Sequence, residues 1–279
     1  MRVNEPTTPN RVYGVDFSGA KDAGRRIWVS CGVMEDGRLR IESCLRCDEI
    51  PGSGRERVRC LAALLELIDR ETATAAFGLD FPFGLPRRHL RAGTSWQQFV
   101  RSFPDEYVAP EAFRRACHDR AGGKESKRAT DELSHTPFSP YNLRLFRQTF
   151  YGIRDLLHPL VCYGRARVLP MQPGPPGRPW VLEICPASTL KDLGLPGSGY
   201  KRSGPAGAEV RAAILQGIEQ TGLIEFVSAG VRARSLEDPG GDALDSVIAA
   251  MATVRALAAP TPQPADLRAD YMLEGYVYI

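Results

Sequence analysis

The sequence predicts a mixed α/β fold: one five-stranded sheet flanked by helices, with a largely helical insertion. Three observations carry this. Residues 11–45 read as three consecutive strands joined by short turns, a β-meander. After them, helical spacing and short apolar runs alternate, which places helices on the faces of a mixed sheet. Near the C-terminus, the stretch after Asp242 is nearly all apolar, and a helix that is apolar all round is buried.

Each element follows from its residues. Arg11–Phe17 (R-V-Y-G-V-D-F) is the first strand, and Ser18-Gly19-Ala20 is the turn after it. Arg26–Met34 is the second strand and Leu39–Leu45 the third. Between them, Glu35-Asp36-Gly37-Arg38 makes a hairpin turn, because Asp-Gly supports positive φ. Val58, Leu61, Leu64, Leu65 and Ile68 have helical spacing, so Arg57–Ile68 is a helix. The apolar run Ala75–Asp80 is a buried parallel strand, ended by the prolines of Phe81-Pro82-Phe83-Gly84-Leu85-Pro86.

The pattern then changes. Residues 87–179 are expected to form an insertion or lid with helices around Ser95–Phe103, Glu111–Arg120 and Asn142–Leu157, and with few apolar positions. Pro170–Pro179 is the loop out of it. Trp180–Ile184 resumes the sheet. Helices follow from Pro186, over Ala206–Gln220, and from the turn Asp238-Pro239-Gly240-Gly241 to Leu257. Gly275–Ile279 is a candidate last strand. The whole chain, 1–279, is read as a single domain containing the insertion.

Composition narrows the class. A chain of 279 residues is long enough for a sizeable core. Its polar start, Met1–Asn10, with Pro6 and Pro9, is expected to lack structure. No stretch supplies the ~18–20 uninterrupted apolar residues of a membrane helix, and the start has no signal-peptide pattern. Seven scattered cysteines suggest reduced thiols and a cytoplasmic location. Net charge is only +3, but it is unevenly spread. Between Arg87 and Trp180, 16 Lys or Arg face 8 Asp or Glu, which favours an anionic partner or simply an arginine-rich solvated surface.

Carboxylates carry the chemistry. Three apolar strands end in an acid: Asp16, Asp80 and Glu183. Acids are poor strand formers, and an ionised one among apolar residues is costly unless paired or bound to metal. Asp242 and Asp245 lie three apart, on one face of the late helix. Each acid also has a purely structural use. Asp242 or Asp238 can cap the helix, Asp80 can bond the following turn, and Glu183 can pair with a buried arginine. Taken together, the acids point to a shared site for magnesium or manganese, which prefer hard oxygen ligands.

The meander with Asp in its first strand, a later acidic strand and a late Asp-x-x-Asp helix together resemble the ribonuclease H-like superfamily. D-A-L-D-S-V-I-A-A is similar to the corresponding helix of Holliday-junction resolvases. G-V-D-F-S-G-A, L-D-F-P-F-G-L-P, E-I-C-P-A-S and G-D-A-L-D-S-V-I-A-A resemble, in that order, the bacterial and archaeal family of predicted ribonuclease H-like nucleases called domain of unknown function 429. The resemblance covers Arg11–Pro86 and Trp180–Leu257. It implies metal-binding roles for Asp16, Asp80 and Asp245, with Glu183 and Asp242 as supporting or alternative ligands. The expected activity is metal-dependent cleavage of phosphodiester bonds in DNA or RNA, with Asp16 bridging two ions and Asp80 and Asp245 each holding one.

Around the acids, Lys21 or Lys201 could offset transition-state charge, or be an ordinary surface lysine. Arg87, Arg88 and Arg91 are expected to contact backbone phosphates. Trp96, Phe99 and Tyr107 either stack on bases or pack a helical core. Two other readings stay open. Asp16-Phe-Ser-Gly-Ala-Lys21 resembles the first phosphate loop of actin-like ATPases and sugar kinases, although those pair two such domains. A nucleic-acid-binding module without catalysis is the third. Cys44, Cys47 and Cys60 have half the spacing of a zinc site, but no second pair follows.

Overall fold

β1 (Arg11–Asp16) pairs antiparallel with β2 (Trp28–Glu35), and β2 with β3 (Arg38–Arg46), so the expected meander forms. The structure, a computed structural model, describes residues 8–259 and 268–279. The polar start, up to residue 7, lies outside the described residues. α1 (Arg57–Arg70) leads into β4 (Ala75–Asp80), which lies parallel to β1 on its other side.

The inserted segment contributes α2 (Trp96–Glu106), α3 (Pro110–Arg120), α4 (Ala129–Leu133) and α5 (Phe146–Tyr151). α5 continues through a π-helical turn, Gly152–Leu157, into α6 (His158–Cys162). The short β5 (Arg167–Val168) and then β6 (Trp180–Ile184) rejoin the sheet, β6 parallel to β4. α7 (Pro186–Asp192), α8 (Pro205–Gln220), β7 (Ile224–Phe226) and α9 (Ala229–Glu237) come next. The buried helix is α10 (Asp242–Ala258), followed by α11 (Ala269–Glu274) and β8 (Val277–Tyr278).

The sheet runs β5-β6-β4-β1-β2-β3-β7, with β8 also on β6. It therefore has eight strands rather than five. The additions, β5, β7 and β8, are two or three residues long. So short a strand completes hardly one cycle of the two-residue alternation, and no pattern betrays it. β8 lies within the tail expected to be a last strand.

Period-two geometry sorts the sheet into faces. Tyr13, Val15, Phe77 and Leu79 pack with Leu61, Leu64 and Ile68 of α1. Val12 packs on the other face with Val247, Ala250 and Val254 of α10 and with Ile214 and Ile218 of α8. Asp16 and Asp80 share the parity of Val12 and Ala76, so they belong to the α10 face.

Two glycines let α10 come close. A Cβ on Gly14 would lie 2.1 Å from the Ser246 carbonyl oxygen and the Ala250 nitrogen. One on Gly78 would lie 2.0 Å from the Thr253 hydroxyl. Gly14 and Gly78 are register partners, so they open one bare track across two strands. A buried hydrogen bond of 2.7 Å between the Ser30 and Ser246 hydroxyls ties the helix to β2.

The insertion is more than a lid. Trp96, Phe99, Phe103, Phe113 and Phe150 join the same core as Val15 and Phe77. Its apolar positions are few but large, which the sequence reading undervalued. Trp96, Phe99 and Tyr107 are buried in this core, so they pack rather than offer stacking faces. The Trp96 indole N–H donates to the Phe83 carbonyl.

Candidate metal centre

Asp16 closes β1 and Asp80 closes β4, side by side in register. Above them stands the N-terminus of α10, bearing Asp242 and Asp245 in its first turn. One carboxylate oxygen from each of Asp16, Asp242 and Asp245 lies within 4.8 Å of the other two. Asp80 borders the same cleft. The close trio thus contains Asp242 where Asp80 was expected. The reason is the Gly14 track, which presses the helix end onto β1.

The start of α10 is built for this. Gly241 is its N-cap residue, in the left-handed conformation with φ 77°. The cap bond comes from Asp238, whose Oδ2 accepts from the Asp242 nitrogen at 2.7 Å. Asp242 itself does not cap, and its side chain is free to face the cleft. The positive end of the helix dipole favours both of its carboxylates.

Lys201 is the counter-charge. Its Nζ lies 2.6 Å from Asp245 Oδ2 and 3.5 Å from Asp242 Oδ1. The Tyr200 hydroxyl donates to Asp245 Oδ1 at 2.9 Å. Among the described residues, no hydrogen bond reaches the carboxylate of Asp16 or of Asp80. Four acids thus share one ammonium, with the Arg26 guanidinium at the border of the cleft.

The titration behaviour records that excess of negative charge. Burial, then Asp242, pushes Asp16 well above the usual carboxylate range, with Lys201 pulling the other way. Asp80 is pushed up to about 8 by burial and then by Asp245, again against Lys201. Asp242 and Asp245 are raised by burial, with Lys201 opposing. Burial disfavours the charge on Lys201, but Asp245 and Asp16 outweigh it and hold the amine protonated. A divalent cation would relieve all four acids at once. The donor set is all oxygen, which fits magnesium, manganese or calcium.

Glu183 is spoken for. Although it ends β6, its two oxygens take Arg128 Nη1 and Nη2, and Oε2 also accepts from the Phe83 nitrogen at 3.0 Å. Arg128 is 1 % exposed and also binds Asp131 through Nε at 3.0 Å and Nη2 at 2.7 Å. Paired in this way, Glu183 is not a member of the close trio. Its structural use, a buried arginine partner, is what the geometry displays.

The other candidates separate. Lys21 is exposed and does not line the carboxylate cleft; Arg26 does. Arg87 pairs with Asp270 at 3.1 Å, Arg88 projects into solvent, and Arg91 lies at a separate surface hollow. None of the three borders the acids. The 3-10 turn Arg87–His89 carries the first two away from the site. Cys44, Cys47 and Cys60 are buried free thiols and form no metal-type cluster among the described residues.

Some site residues escaped the sequence. Tyr200, Gln148 and Arg26 have no pattern that marks them. Gly14 and Gly78 did have a signal, since an isolated glycine inside an apolar strand suggests close backbone approach.

These features define a class of site: buried carboxylates gathered at adjacent strand ends, able to hold a metal ion. No protein-family model, curated protein or solved structure matches the chain. Among the described residues, no helix is long and apolar enough to cross a membrane.

Proposed function

We propose that this chain is a ribonuclease H-like nuclease that uses magnesium or manganese to cleave phosphodiester bonds of nucleic acid. One observation carries the reading: carboxylate oxygens of Asp16, Asp242 and Asp245 converge within 4.8 Å of one another, with Asp80 bordering the same cleft as Asp16 and Asp242. The central order β3-β2-β1-β4-β6, with β2 alone antiparallel, supports it as the ribonuclease H-like arrangement. The four motifs that resemble the family of predicted nucleases point the same way, although no family model matches the chain. Bound divalent ions would supply an activated water and stabilise the leaving oxygen.

The chain's own residues do the rest. Asp16 and Asp80 offer fixed oxygens from the sheet, and Asp242 and Asp245 offer oxygens from the helix. Lys201 supplies a positive charge at the cleft for the phosphate's developing negative charge. Tyr200 orients the Asp245 carboxylate through its hydroxyl. Arg26 stands at the carboxylate compartment as a phosphate contact.

The test is cleavage of labelled single-stranded DNA, duplex DNA, RNA, RNA–DNA hybrid and a four-way junction, with manganese or magnesium. Asp16→Asn and Asp245→Asn are assayed beside the wild type. Both variants are expected to lose more than the ~10–100-fold typical of outer-shell changes. A folded, manganese-stabilised wild type that cleaves nothing would end the nuclease reading and turn the search to nucleotide phosphotransfer.

A further inference from the structure

Beside the carboxylates, the cleft opens into a second compartment of about 350 Å³. Asp80, Gln148 and Lys201 border both compartments, so the two adjoin. The chemistry of the second is different. Phe81, Pro82, Phe138, Leu145, Pro186 and Ala187 give it apolar faces. Glu183 and Asp131, which also border it, are held by Arg128, and Asp245, held by Lys201 and Tyr200, stands where it meets the other acids. The Arg144 guanidinium lies 5.5 Å from the centre of the Phe138 ring and has no carboxylate partner among the described residues. Phe138 is only half-buried, although many of the insertion's other aromatics are in the core.

An apolar hollow with a few placed polar groups suits a small, flat ligand. A divalent ion held by the acids next to it would favour a ligand that carries a phosphate. We propose that this compartment is a nucleobase subsite, and that the chain acts on an unpaired nucleotide rather than on bases stacked within a duplex. The inference rests on the nuclease reading, since the carboxylate compartment must take the scissile phosphate. The base then lies against Phe138, and Arg144 meets a flanking phosphate. Stacking of this kind tolerates any sequence, because every base has a π-face. A paired base would have to be flipped out, at the cost of its own stacking and pairing.

The test separates binding from cleavage. Fluorescein-labelled oligonucleotides are titrated in calcium and read by anisotropy: a single strand, its perfect duplex, and the same strand with one abasic nucleotide moved along it. The single strand is expected to bind about tenfold tighter than the duplex. Phe138→Ala should weaken single-strand binding by about tenfold and leave the strand that is abasic at the subsite unaffected. A 2-aminopurine at that position should change its fluorescence on binding wild type and not on binding Phe138→Ala. Arg144→Ala, at an exposed position, should also weaken the single strand and serves where Phe138→Ala fails to fold. Equal affinity for strand and duplex, or unchanged binding by the folded variants, overturns the subsite. Cleavage in manganese judges the nuclease reading separately. Cleavage with equal strand and duplex binding removes the subsite and keeps the nuclease; subsite-dependent binding without cleavage does the reverse.

Discussion

Lys201 is the residue on which the charge of the site turns. It holds Asp245 and, more loosely, Asp242, while the carboxylates of Asp16 and Asp80 are left without a hydrogen bond among the described residues. Lys201→Met should cost the metal-free protein about 1–2 kcal/mol, less than the ~3–5 of a fully buried pair because half of the lysine side chain meets solvent. The same variant should gain a larger rise in melting temperature from manganese, since no ammonium competes for Asp245. The raised acids set a pH dependence with a definite sign. In the unfolded chain an aspartate titrates near ~3.9, whereas Asp80 in the folded protein titrates at about 8. Between those values the folded state binds more protons, so stability falls as pH rises from about 4 to 8. Melting in chelator across that range should show the decline, and manganese should reverse it most at the alkaline end. Asp80→Asn should flatten the decline, gaining roughly 2–4 °C at pH 8 for each kcal/mol relieved. At this scale the sequence was informative about which acids come together: Asp16, Asp80, Asp242 and Asp245 do, whereas Glu183, as conspicuous at its strand end, pairs with Arg128 instead. It allowed Glu183 a buried arginine but not its identity: Arg128 lies 55 positions before Glu183, and nothing in its surroundings marks it.

α10 is the element that assembles the site. Its approach depends on Gly14 and Gly78, where a side chain would overlap the helix. Gly14→Ala should destabilise the protein by about 1–3 kcal/mol or more, as overpacking does. It should also blunt the stabilisation by manganese, because a displaced helix carries Asp242 and Asp245 away from Asp16. Denaturant melts with and without the ion read both effects. The long elements were legible because their periodicities span several turns or pleats; β1, β2, β3, β4, β6, α1, α8 and α10 are all found close to their expected positions. α9 and α11 were missed, being short and only partly apolar. The identity of the close trio was also hidden. Whether Asp80 or Asp242 stands nearest Asp16 depends on where a helix crosses a strand, which no local spacing encodes.

Across the whole molecule, the insertion and the sheet share one core and one buried ion network. Arg128 joins the insertion to β6 through Glu183 and to the C-terminal segment through the Glu274 carbonyl. Arg128→Met would strand Glu183 and Asp131 without their cation, at a cost of about 3–5 kcal/mol. Urea unfolding should remain a single transition in wild type and variant, because among the described residues the insertion's aromatics share the core of the sheet. Two separate transitions would show that the insertion folds apart. Asp16 and Asp80 sit on neighbouring parallel strands, whose spacing is held near ~4.8 Å by the backbone ladder. That half of the site is a ruler with fixed marks, and the half on α10 is seated as firmly, against Gly14 and Gly78. With neither half free to slide, the proposed site would discriminate between magnesium and calcium by radius, since the oxygens keep their spacing whichever ion arrives.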